Sequence, residues 1–86
     1  MVSAPGDDSD VASRYFSPES VIKEDPVTGS AHCTIVPYWA KRLKTNTLHA
    51  RQVSDRGGDL HCTLAGDRVH ISGTAVTVMQ GHFLLP

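Results

Sequence analysis

Once along the chain the spacing of apolar residues changes period, and that change constrains the fold more than any other feature. Ala31, Ile35, Tyr38, Trp39 and Leu43 recur at three- and four-residue intervals, the stripe of an amphipathic helix. Lys41, Arg42 and Lys44 gather where cations favour a helix C-terminus, so the spacing predicts a helix over 31–43. Pro37 removes one donor and crowds the carbonyl of Cys33, which predicts a kink or a distorted first half. Val36 and Cys33 fill much of the remaining circumference, so the helix is expected to be enclosed on several sides, with Tyr38 and Trp39 in the core.

Beyond residues 44–47 the period falls to two. Residues 48–54 read as a strand, 55–58 as a turn, and 59–64 as a second strand with Leu60, Cys62 and Leu64 on one face. A third strand begins at Arg68. If Gly66-Asp67 forms a two-residue turn, Leu64 falls opposite Val69 and Cys62 opposite Ile71, so both strands bury the same face. Ser72-Gly73 then reads as a bulge, with 74–85 continuing the strand. Nearer the start, 5–10 is turn chemistry and 11–16 alternates as a short strand. Ser17-Pro18 and Glu24-Asp25-Pro26 punctuate a loop with room for one helical turn around 19–22. The predicted class is α+β: an antiparallel β-sheet curled around one central α-helix.

Eighty-six residues hold one domain at most, with a thin core. An apolar fraction of 40% and a charged fraction of 20% place the chain among folded proteins rather than disordered tails. A formal charge of -1, with no basic run longer than Lys41-Arg42, gives no footprint for nucleic acid. No stretch reaches the roughly 18 apolar residues that cross a bilayer, and 1–10 lacks the basic start and apolar middle of a secretion signal. A cytoplasmic protein is therefore expected. Cys33 and Cys62 are too few for a disulfide framework and read as buried thiols. The adjacent pairs His32-Cys33 and His61-Cys62 cannot chelate through both members, so no metal site is expected.

The chemistry concentrates in residues 24–32, where Glu24, Asp25, Pro26, Val27, Thr28, Gly29, Ser30, Ala31 and His32 lead into the predicted helix. A helix start exposes unpaired backbone N–H groups and a partial positive charge, which attract carboxylates and developing oxyanions. Gly29, Ser30 and Ala31 let a ligand approach, Ser30 adds a hydroxyl, and Asp25 is near enough to share the pocket. The same residues also fit an ordinary helix start, with Asp25 or Thr28 as N-cap and Pro26 at the first helical position. His32 fits a proton carrier or a satisfied polar side chain.

The stretch EDPVTGSAHC, together with YWAKRL, RQVSDRGG and GTAVTVMQG, resembles the C-terminal portion of the PhzF family of phenazine biosynthesis-like isomerases, over almost the whole chain from Val2. The resemblance implies the diaminopimelate epimerase-like fold: two similar lobes, each an antiparallel sheet around a central helix, with the active site between them. It also implies isomerisation without cofactor or metal, in which a first-lobe glutamate moves a proton next to a carboxylate-bearing centre. Carried over by position, Asp25 orients the substrate and assists proton movement. Gly29 and Ser30, with Ala31 and His32 beside them, bind the carboxylate or an enolate-like oxygen. The related epimerases place a catalytic cysteine near this loop; here the loop has none, which disfavours a two-thiol mechanism. On this likeness residues 1–86 are the C-terminal part of the second lobe, with the first lobe and its glutamate absent, and the chain alone is expected to be inactive. The expected partners are a small carboxylate-bearing substrate and a second copy of the chain or the missing lobe. The alternative is a non-catalytic binding or assembly module that pairs through exposed sheet edges.

Overall fold

The computed structural model describes residues 1–86, in the order β1 (Val2–Pro5), β2 (Val11–Phe16), β3 (Glu24–Asp25), α1 (His32–Leu43), β4 (Thr47–Gln52), β5 (Gly58–Ala65) and β6 (Arg68–Ser72). Gly66 takes a φ of 60°, a conformation open to glycine, and closes a two-residue turn between β5 and β6. The register is the predicted one: Leu64 faces Val69 and Cys62 faces Ile71. β4 joins the other side of β5, antiparallel from Thr47 opposite Thr63 to Gln52 opposite Gly58. Leu48, Ala50, Leu60 and Cys62 are consequently buried on a common face.

The sheet runs in the order β1-β2-β4-β5-β6, and β3 adds to β2. Antiparallel pairing is the rule, with one exception: β2 and β4 are parallel, Val11 facing Ala50 and Ser13 facing Gln52. Parallel neighbours need a long crossover, and α1 lies in the chain between them. Neither β1 nor β3 is visible as a period-two pattern. β1 is exposed at all four positions, and β3 is two residues long, paired as Tyr15 with Asp25 and Phe16 with Glu24. Around 19–22 the expected helical turn is replaced by a turn closed by Ser20 N–H on the Ser17 carbonyl at 3.0 Å.

Helix α1 buries His32, Ile35, Val36, Trp39 and Ala40, a single stripe at helical spacing. With Val11, Leu48, Ala50, Leu60 and Cys62 its apolar members make the core, extended by Leu64, Val69 and Ile71. Two expectations are corrected here. The helix is covered on one face rather than all round, because Cys33, beside Leu64 and Val69, and Tyr38, beside Ser3, sit at the margins of the buried stripe and are exposed. Cys33 is thus not a buried thiol, and Tyr38 is not a core residue; Tyr38 stacks edge-on against Trp39, whose Nε1–H donates to Ser3 Oγ at 3.0 Å. The helix passes unbroken through Pro37, and its distortion is confined to the start. There His32, Cys33 and Thr34 donate to the carbonyls three residues back. The helix ends at Lys44 in the left-handed conformation, its N–H on the Ala40 carbonyl.

A third correction concerns the C-terminus. No strand forms beyond Ser72, and residues 73–86 are exposed throughout and make no hydrogen bond. Their apolar alternation has no neighbouring strand to pair with. No helix is long and apolar enough to cross a membrane.

Candidate functional site

Pro26 ends β3, and the loop from there to Ala31 is held against the end of β4 by side chains. Gln52, the last residue of β4, has no solvent exposure. Its Oε1 accepts the Thr28 N–H at 2.7 Å, while Nε2 donates to the Asp25 carbonyl at 2.9 Å and to Thr28 Oγ1 at 3.1 Å. Both carboxamide protons are therefore used, and the amide has one orientation. Turned over, it would set donor against donor at Thr28 and acceptor against acceptor at Asp25. Thr28 Oγ1 in turn donates to the Asp25 carboxylate. Ser54 Oγ donates to the Pro26 carbonyl at 2.9 Å and accepts the Gly57 N–H at 2.9 Å.

The third anchor is His32, which is fully buried with Nδ1 2.7 Å from the Thr28 carbonyl. A carbonyl only accepts, so Nδ1 carries the proton and Nε2 is left as the lone-pair nitrogen in the neutral ring. Nε2 is buried without a partner, as is Ser13 Oγ on the strand position that pairs with Gln52. Thr28 is thus gripped through its N–H, its hydroxyl and its carbonyl.

No side chain caps the helix. The cap position is Ala31, without a side-chain bond, so the capping roles considered for Asp25 and Thr28 are not taken up. Asp25 sits in β3 instead, its carboxylate turned to Thr28. The first three helical N–H groups are satisfied by the carbonyls of Gly29, Ser30 and Ala31. The N–H groups of Gly29, Ser30 and Ala31 themselves have no partner in the chain. Gly29 and Ser30 are exposed and Ala31 half-buried, and a Cβ on Gly29 would meet nothing within 4 Å, so nothing crowds the chain at Gly29. Three successive backbone donors thus stand ahead of the helix without an acceptor in the chain.

Beside the loop lies a groove of about 480 Å³, bounded by Asp25, Pro26, Val27, Arg56, Asp59 and Ile71 among others. It contains the predicted Asp25 but not Gly29, Ser30 or His32. Its cation, Arg56, makes no side-chain hydrogen bond or ion pair. Asp59 is held below the ordinary carboxylate range by the His49 ring and then by Arg51, whose Nη1 lies 2.8 Å away. Across β3, Arg14 grips Glu24 through two bonds of 2.9 Å and holds that carboxyl low as well. Gln52, Ser54 and Arg56 belong to the site region and were not singled out from the sequence. Gln52 occupies an inward position of an alternating strand, and a polar residue there was the available signal.

The family described as phenazine biosynthesis-like protein, PhzC-PhzF, matches residues 2–81. An uncharacterized isomerase of Pseudomonas aeruginosa is 52% identical over 85 residues, 99% of this chain and 33% of the relative. The human phenazine biosynthesis-like domain-containing protein is 48% identical over 73 residues, 84% of this chain and 25% of its own length. A crystal structure of a putative phenazine biosynthesis PhzC/PhzF protein from Clostridium difficile superposes with a TM-score of 0.83 at 46% identity, over 96% of this chain and 32% of that one. A PhzF family protein from Enterococcus faecalis gives 0.79 at 54% identity, over 84% and 28%. The chain spans about a third of the length of these relatives.

Proposed function

The chain belongs to the PhzC-PhzF family of phenazine biosynthesis-like proteins, and from that premise we propose that it carries the anion-seating part of an isomerase site. In this reading residues 1–86 correspond to the C-terminal part of the second lobe. The free amides of Gly29, Ser30 and Ala31 hold a substrate carboxylate, or the oxygen on which charge develops as a neighbouring carbon loses its proton. Asp25, anchored by Thr28, orients the substrate and assists the proton movement. His32 acts behind the loop through Thr28. The substrate class is small carboxylate-bearing molecules, and the chemistry is proton transfer without a cofactor.

The observation that carries this reading is the run of three consecutive amides without a partner, following a Thr28 that is tied down through its N–H, its hydroxyl and its carbonyl. A fixed donor array of this kind stabilises developing charge without reorganising. The test is titration of the 15N-labelled chain with malonate. Shifts centred on the Gly29, Ser30 and Ala31 amides are expected, with millimolar affinity, as for two or three charge-assisted bonds facing water. Amides that do not respond overturn the reading. A general base must reach the proton it removes, and the carboxylates of this chain near the loop are engaged, Asp25 by Thr28 and Glu24 by Arg14. The 86-residue chain assayed alone is therefore expected to show no isomerase turnover.

A second reading, a module that assembles with another polypeptide, is favoured by the unpaired apolar segment after Gly73.

A further inference from the structure

Resting on the anion-seating reading above, we propose that Gln52 is the positioning residue of the site: its buried carboxamide sets the direction of the Thr28 hydroxyl and so aims Asp25, while its oxygen holds the Thr28 N–H and leaves the next three amides pointing outward.

A threonine hydroxyl has one proton and can turn it toward any acceptor in reach. Here the choice is made for it. Gln52 Nε2 donates to Thr28 Oγ1 at 3.1 Å, which occupies that oxygen as an acceptor and leaves its own proton for the Asp25 carboxylate. The chain of donors therefore runs in one sense, from Gln52 through Thr28 to Asp25. The second Nε2 proton, on the Asp25 carbonyl at 2.9 Å, fixes the backbone of the residue whose side chain receives the relay. Gln52 thus reaches Asp25 from both ends, through its main chain directly and through its carboxylate by way of Thr28.

Position in the fold makes this device rigid. Gln52 is paired with Ser13 of β2 on one side and Gly58 of β5 on the other, so its backbone is held in the middle of the sheet. Its side chain has no exposure, so water does not compete for these bonds. A carboxamide is the only uncharged side chain that presents an acceptor and two donors from one planar head, and all three are needed at once. Methionine in its place would leave the Thr28 N–H unpaired in a buried setting and free the Thr28 hydroxyl to rotate. The loop would then keep the bonds from His32 and Ser54, which hold the carbonyls of Thr28 and Pro26 and do not reach the Asp25 carboxylate.

The same malonate titration tests the proposal with Thr28→Val, Thr28→Ser and Gln52→Met, folding being checked by amide dispersion and by the urea midpoint. Valine keeps the shape of threonine and removes only the hydroxyl, so T28V breaks the relay with Gln52 in place and stays available if Q52M does not fold. Both are expected to weaken malonate binding about tenfold or more, with the double variant no weaker than Q52M alone, since they interrupt one path. T28S restores the hydroxyl and is expected to bind within about threefold of the parent. A residue needed only for stability would not give a loss that serine rescues at an unchanged urea midpoint. If the parent binds malonate and T28V binds equally well, the Gln52 proposal is overturned while the site stands. If the parent itself does not bind, the anion-seating reading fails and this proposal falls with it.

Discussion

Two cysteines with the same expected environment part company in the fold. Cys33 is exposed at the margin of the buried stripe of α1, while Cys62 is 1% exposed, with its thiol pushed above the ordinary value by burial and, secondarily, by Cys33. The thiolate is the reactive form, so Cys33 is expected to react with a disulfide reagent in the native chain and Cys62 only on unfolding. Two fast-reacting thiols in native protein, or a fast phase surviving Cys33→Ser, would refute this. Gly58 supplies a second residue-scale test. A Cβ there would lie 2.0 Å from Val27 Cγ2, so the site loop packs directly on the backbone of β5. Gly58→Ala is expected to cost about 1–3 kcal/mol by overpacking, measured in urea, and to shift the amides of residues 25–28. Val27→Ala in the same chain should recover most of it; no recovery would place the strain elsewhere. These environments were only partly legible. The residues able to seat an anion stand next to each other in the sequence, but Gln52 is 24 residues from Thr28. Its role depends on a parallel pairing that no local pattern encodes. Cys33 failed for the opposite reason: apolar composition filled the helix on paper, and the sheet reaches only one side.

At the scale of elements, legibility follows how much of the pattern is enforced by burial. α1, β4 and β5 each bury one face and β6 half-buries Val69 and Ile71 against it, so period and register were readable down to the residues facing each other across the Gly66 turn. β1 buries none of its residues, and β3 has two. β3 matters to the site because it delivers Asp25, and it is clipped to β2 by Arg14 and Glu24. The Glu24 carboxyl lies below its ordinary value of 4.5, first through the hydrogen bond from Arg14 and then through its charge. A carboxylate depressed in the folded state contributes its stability in full above the unfolded value and loses it as pH falls through the folded one. Asp59, lowered from 3.8 by His49 and Arg51, acts in the same sense. Stability is therefore expected to be level, as far as these groups go, above about pH 5 and to fall progressively below the ordinary carboxylate values. Because Arg14 is half exposed, the contribution of the pair is small. Glu24→Gln should make the acid limb of the urea midpoint shallower and raise amide exchange at residues 15–16 and 24–25 near neutral pH. An acid limb identical to that of the parent would show that the clip does not matter.

For the molecule as a whole, the unpaired segment after Gly73 outweighs every local detail. Val76, Val78, Met79, Phe83, Leu84 and Leu85 are between 84% and 98% exposed. Covering a side chain of this kind is worth about 1.5–3 kcal/mol, so the six together represent on the order of 10 kcal/mol of unrealised burial. That is as large as the whole folding stability of an ordinary domain, about 5–15 kcal/mol. The sequence pattern marked this stretch as a strand, and the family match extends through residue 81, inside it. In this chain the segment has no neighbouring strand. β1 and β6 are the outer strands of the sheet, with backbone groups available to another chain. At micromolar concentration the 86-residue chain is accordingly expected to scatter light as an assembly larger than its 9.3 kDa. The chain ended at Gly73 should run as a monomer with its urea midpoint unchanged, because the segment makes no hydrogen bond and covers little of the core. Val78→Asp with Phe83→Asp should do the same without shortening the chain, since a charge buried at a partner's surface is disfavoured. An 86-residue chain that stays monomeric at high concentration would show that the segment finds cover within its own molecule, and the assembly reading would be lost.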